Sequence, residues 1–82
     1  MDANDIKELI EGALPDAKVS VNTRTDHPED DHYEAEVISS AFEGETLVTQ
    51  HEMVYNALEG HMTRDIHALE LSTYTPSEAT EL

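Results

Sequence analysis

The sequence predicts an α+β domain of order α-β-β-α-β, in which two helices cover one face of a three-stranded mixed sheet. Three observations carry that prediction. Apolar residues recur with the helical period over residues 3–14 and 46–60. They alternate with polar ones in Lys18 to Thr23, His32 to Phe42 and Ile66 to Thr75, the two-residue period of strands. A short polar loop joins the first two strands, which suits a hairpin. A helix precedes the third, which suits parallel pairing through a right-handed crossover.

The elements follow in order. Ile6, Leu9, Ile10, Ala13 and Leu14 share one face of the first helix, with Asp2 or Asn4 suited to cap it. Asp5 and Glu8 complement the positive end of its dipole, and Pro15 disfavours continuation beyond Leu14. Val19 and Val21 define the first strand. Thr25-Asp-His-Pro-Glu-Asp-Asp31 is the most acidic loop in the chain. In the second strand Tyr33, Ala35 and Val37 alternate with Glu34 and Glu36, so its first half has one wet face. The run is more enclosed from Ile38 to Phe42. Gly44 turns the chain and Thr46 caps the second helix, whose inner face should carry Leu47, His51, Val54, Tyr55 and Leu58. Gly60 ends it. In the third strand Leu69 and Leu71 mark His67, Leu69, Leu71 and Thr73 as the core-facing set. One domain over residues 1–82 is expected, with a core from about residue 3 to 76 and a polar tail, 77–82, that frays.

Composition bounds the function. The 82 residues carry 19 Asp and Glu against 4 Lys and Arg, a formal charge of −15. Surface scaling lets a chain of this size bury roughly 60–65% of its area, which suffices for one small core. Nucleic-acid affinity rests on cations that displace counterions from phosphates, so this balance argues against DNA or RNA as a partner. The 38% hydrophobic content and the ordered periodicities argue against a disordered chain. Between an acidic docking surface and a salt-adapted surface of a halophilic, acidic proteome, the second is the favoured reading. There is no cysteine, which excludes disulfides, thiolate metal sites and cysteine nucleophiles supplied by this chain. No apolar run approaches the ~20 residues that span a bilayer, and MDANDIKELI lacks the basic opening of a secretory signal. A soluble cytoplasmic domain is the expectation.

Catalytic patterns are missing. Gly12, Gly44 and Gly60 are isolated, so no phosphate loop is formed, and no serine occupies a nucleophile elbow. A carboxylate pair needs a concave, partly desolvated setting to separate its pKa values, and a chain this short offers little concavity. The expectation is no enzyme.

Five histidines hold more interest: His27, His32, His51, His61 and His67. Neutral imidazole binds transition metals. If the acidic loop lies over the start of the third strand, His27 or His32 approaches His67. Two imidazoles are too few for a closed tetrahedral site, so further ligands must come from elsewhere. Plainer roles compete. His67 also reads as a hydrogen-bonded histidine at the core edge, His27 as a turn residue before Pro28, His51 as a packed helix residue and His61 as a solvated helix end.

The blocks DHYEAEVISSAFEG, LVTQHEMVYNAL and IHALELSTYTP, following ALPDAKVSV, resemble the BolA family from about Ile6 to Glu78. The combination of F-x-G, Q-H-x-x-V-Y and I-H-A-L at these separations is far more specific than any one piece. The resemblance implies a class II KH-like, BolA-like fold, in agreement with the element order. It also implies a partnership with a monothiol glutaredoxin in iron–sulfur trafficking and iron regulation. In that picture a [2Fe–2S] cluster is shared. The partner and its glutathione, or an equivalent thiol, supply sulfur ligands, and the histidine of I-H-A-[LF], here His67, supplies a nitrogen. The second ligand comes from the loop between the first two strands. His32 matches the histidine before the aromatic residue that opens the family's strand and is favoured over His27, which lies deeper in the loop.

Two departures stand out. The family's basic R-H-R is Gln50-His51-Glu52 here, which reads as loss of positive charge from a docking surface. Ala79 stands where a tryptophan often follows, which weakens the expected anchoring of the C-terminal end. The leading expectation is an adaptor, monomeric or a weak homodimer when free. A KH-like nucleic-acid-binding transcriptional regulator is the alternative, opposed by the acidic turn Phe42-Glu-Gly-Glu45 in place of a GXXG loop. Metal binding by His27, His32 and neighbouring Asp residues alone is a third reading.

Overall fold

A computed structural model describes residues 3–14, 16–23, 32–58 and 68–81. The elements are α1 (Ala3–Ala13), β1 (Lys18–Thr23), β2 (His32–Ile38), a 3-10 turn (Ser40–Phe42), α2 (Leu47–Ala57), β3 (Ala68–Tyr74) and α3 (Pro76–Ala79). The sheet runs β1-β2-β3. β1 pairs antiparallel with β2 from Lys18↔Ile38 to Thr23↔Tyr33, and β2 pairs parallel with β3 from His32↔Ala68 to Ile38↔Tyr74. The predicted α+β order and mixed sheet are observed. A short third helix is added.

Strand alternation decides which side is covered. Val19, Val37 and Thr73 form one row across the sheet, and Val21, Ala35 and Leu71 the next. Tyr33 pairs with Leu69 on the same side. Ile6, Ile10 and Leu14 of the first helical segment and Val54 and Leu58 of the second close over this surface, together with Phe42. Full burial of such aliphatic side chains contributes roughly 1.5–3 kcal/mol each. The opposite side carries Ser20, Asn22, Glu34, Glu36, Glu70 and Ser72, all exposed.

Several sequence expectations are corrected. Ala13 is exposed although it shares the apolar spacing of α1, and Asn4 lies inside that helix, donating from Nδ2 to Glu8 Oε1 at 3.3 Å. The second strand ends at Ile38, four residues before Phe42. Ser39 is the reason: its N–H still donates to the Tyr74 carbonyl (3.0 Å), but its Oγ accepts from the Ala41 N–H (3.1 Å) and turns the chain into the 3-10 segment. This delivers Phe42 to the core.

Thr46 caps α2 as expected, accepting from the Thr49 N–H at 3.2 Å. The buried face of that helix is rotated from the predicted one. Gln50, Val54 and Leu58 are buried and Met53 and Ala57 partly so, whereas Leu47 and Tyr55 are exposed. The polar tail contains the short helix α3. Thr75 and Glu78 form a reciprocal capping box around Pro76, with Glu78 Oε1 accepting from the Thr75 N–H at 2.8 Å. Thr80 Oγ1 then donates to the Ser77 carbonyl at 2.7 Å. Hydrogen bonding of the last turn continues to the Glu81 N–H, which donates to the Glu78 carbonyl at 3.1 Å, with Ala79 half-buried.

Candidate functional site

The parallel pairing of β2 and β3 gives the sheet a polarity. At one end β1 stops at Thr23 while β2 and β3 both begin, at His32 and Ala68. The segments 24–31 and 59–67 attach there by chain order. His27 and His67 lie outside the described residues, as does His61. His32 is placed by its backbone: it opens β2 and pairs with Ala68, the residue that follows His67 in the sequence. Among the described residues no group of three or more His, Cys, Asp or Glu is gathered to hold a metal ion. His51 sits half-buried on α2, with its ring edge-on to Tyr55 at a centroid distance of 6.4 Å.

Next to the His32–Ala68 pair, the open face carries the row Asn22, Glu34 and Glu70. Glu36 and Ser72 follow one step further along. These residues line a shallow polar depression of about 240 Å³. The field at this end of the sheet is therefore negative, which favours neutral or cationic ligands over anionic ones.

The opposite end is built from unlike parts. Asp16 has a positive φ of 51°, in the left-handed region that Asp and Asn tolerate better than most residues. Its Oδ1 accepts from the Ser39 hydroxyl and the Ser40 N–H, both at 3.1 Å. Hydrogen bonds from Ser40 and Ser39, assisted by the charge of Lys18, hold the Asp16 carboxyl below its usual range. A depression of about 380 Å³ beside it is lined by Lys18, Ile38, Pro76, Ala79 and Thr80.

Burial of Gln50 narrows the charge departure of the Gln50-His51-Glu52 triplet to its exposed member, Glu52. His51 is half-buried. Gln50 is buried, donating from Nε2 to the Glu45 carbonyl at 2.9 Å and, more weakly, to the Phe42 carbonyl at 3.5 Å. Its Oε1 accepts from Thr73 Oγ1 at 2.7 Å. Sequence reasoning missed this residue because hydrophobic periodicity does not register a buried amide. The turn it braces contains Gly44 at φ 79°, where a side chain would be strained, flanked by exposed Glu43 and Glu45. Carboxylates at both flanks repel the phosphates that a backbone-clamping turn would have to approach.

Comparison with known proteins agrees with this architecture. Residues 13–78 match the family model described as BolA-like protein. The chain is 38% identical over 56 residues to the chloroplastic protein BOLA1 of Arabidopsis thaliana, covering 68% of this chain and 34% of that protein. It is 36% identical over 47 residues to the DNA-binding transcriptional regulator BolA of Escherichia coli K12, covering 57% of this chain and 45% of that protein. It therefore spans about a third of the first and under half of the second. The solved structure of a BolA protein homologue from Coxiella burnetii superposes with a TM-score of 0.82 at 44% identity, covering 98% of this chain and 97% of that one.

Proposed function

The chain belongs to the BolA-like family, and from that membership we propose that it is a non-enzymatic adaptor which joins a monothiol glutaredoxin and co-ligates a [2Fe–2S] cluster as shared cargo. The observation that carries this reading is the register His32↔Ala68, which starts β2 and β3 at one level, with Ala68 directly following His67 in the chain. A loop histidine, His32 or His27, and His67 would then supply nitrogen from this chain. Partner and glutathione thiolates would supply sulfur.

The donor chemistry supports the division. With no cysteine, the chain offers imidazole and carboxylate only, and clusters of this class need thiolate on at least one iron. Four thiolates would leave an oxidised cluster doubly negative, whereas two thiolates and two neutral imidazoles leave it neutral. A chain of net charge −15, with Glu34 and Glu70 beside the strand starts, opposes the first arrangement far more than the second. Among the described residues no helix is long and apolar enough to cross a membrane.

The test mixes the full chain with cluster-loaded glutaredoxin and glutathione under anaerobic conditions and follows visible absorption and circular dichroism. A new spectrum that titrates to one equivalent supports the adaptor. Persistence of the glutaredoxin homodimer spectrum rejects it. The similarity to a DNA-binding regulator supplies the second reading. It is opposed by the acidic turn at Glu43–Glu45 and by the four basic residues of the chain. Sequence-specific DNA binding at physiological salt would restore it.

A further inference from the structure

The outward face of α2 carries an apolar stripe. Leu47 is 61% exposed, Val48 68% and Tyr55 38%. Leu47, His51 and Tyr55 follow one another at i, i+4 and i+8, so they form a line along the helix, and Val48 flanks it. The edge-on contact of His51 with Tyr55 makes the lower half of that line a continuous ring surface. Scattered exposed leucines need no explanation, but large apolar residues contiguous on one helix face do. The buried side of α2 is fully used by Gln50, Val54 and Leu58, so none of these four side chains is needed for the core.

We propose that this stripe is a docking surface for a protein partner that presents an apolar patch ringed by Lys and Arg. Charge selects that occupant. Exposed Glu43 and Glu45 precede the stripe and Glu52 lies one turn beyond Val48, while residues 43–58 contain no Lys or Arg. A second copy of the chain would bring those carboxylates face to face and add two net charges of −15. A cationic rim on the partner pairs with them instead, steering encounter while the apolar centre supplies the affinity. The Leu47–Val48 end of the stripe lies away from the histidine end. Gln50, on the first turn of α2, bonds to Thr73, which lies about 16 Å along β3 from Ala68 at the usual strand rise.

The experiment uses the full chain and two synthetic helical peptides with the same lysines. One has a leucine stripe, and in the other serine replaces each leucine. The leucine peptide is expected to bind at least ten-fold tighter, to shift the amide signals of residues 45–56, and to lose that advantage against the Leu47→Ser/Val48→Ser variant. Equal binding of the two peptides overturns the proposal, as do shifts centred on Glu34, Glu36 and Glu70. So does sedimentation showing a dimer that the double variant abolishes, which would make a second copy the occupant. Binding to phosphatidylcholine vesicles that is lost in the same variant overturns it in favour of a lipid surface. Both substitutions are at exposed positions, and an unchanged far-ultraviolet spectrum verifies the fold.

Discussion

Thr73 Oγ1 donates to Gln50 Oε1 at 2.7 Å, joining the end of β3 to the first turn of α2 inside the core. Through Nε2 the same amide holds the Glu45 and Phe42 carbonyls, so one side chain ties strand, turn and helix together. Neither partner is replaceable alone. Thr73→Val leaves the Gln50 oxygen buried without a donor, and Gln50→Leu strands the Thr73 hydroxyl and the Glu45 carbonyl. Each should cost about 1–3 kcal/mol. The double variant Gln50→Leu/Thr73→Val removes both halves and should cost less than the sum of the singles by about 1 kcal/mol. Urea denaturation of the four proteins measures the coupling, and strict additivity would show that the bond contributes nothing.

Asp16 sets an acid limb on stability. Its carboxyl titrates lower when folded than when unfolded, because Ser40 and Ser39 donate to the charged form. A depressed folded pKa stabilises the fold above the unfolded value, and that contribution is lost as pH falls through the folded value. The melting temperature should therefore drop on acidification below the ordinary Asp range. Asp16→Asn should flatten that drop while keeping an oxygen acceptor and a residue that tolerates φ 51°. Asp16→Ala should melt lower than Asp16→Asn at neutral pH, since it loses both. An unchanged acid limb in Asp16→Asn would mean that other carboxylates control it.

Glu34 and Glu70 are direct cross-strand partners on the open face. Like charges placed opposite destabilise a sheet, by roughly 0.2–1 kcal/mol. Glu70→Lys converts the pair to an attractive one and makes the chain two units less negative. It should raise the melting temperature by about 2–4 °C at low ionic strength, and the gain should fade toward molar salt as the Debye length contracts to about 3 Å. The parent chain should itself melt higher as salt is added. A parent melting temperature flat from low to molar salt would remove self-repulsion from the account.

The strands were legible because one face is covered and the other wet. Val19, Val21, Tyr33, Ala35, Val37, Leu69 and Leu71 alternate without error, and the parity that makes Leu69 and Leu71 inward also makes Thr73 buried. Errors arose where polar atoms do structural work. Ser39 ends β2 by bonding its neighbours, and Gln50 fills an inward position on α2 that the apolar residues Leu47 and Tyr55 were expected to share. The C-terminal helix rests on the Thr75–Glu78 capping box rather than on an apolar period, so a pattern read for hydrophobicity passes over it. Strand parity and chain order already suggest that His27 or His32 approaches His67, with plainer turn and core-edge roles competing for His27 and His67. Only the resemblance of the family blocks assigns these histidines to a shared cluster.

The choice between the two loop histidines yields the last prediction. His32 begins a strand whose position is set by pairing on both sides, through Tyr33 with Thr23 and through its own pairing with Ala68. A ligand whose backbone is already fixed loses less freedom when it binds than one that must be ordered. His32→Ala should therefore alter the mixed-complex dichroism with glutaredoxin and weaken the complex roughly ten-fold or more, as should His67→Ala, while His27→Ala should leave its affinity within about two-fold. Nitrogen hyperfine couplings in the reduced complex should fall from two imidazoles to one in either damaging variant, a readout that simple loss of stability would not mimic. If His27→Ala removes the second coupling and His32→Ala does not, the loop histidine is the ligand, and the strand start serves to position the chain that carries it.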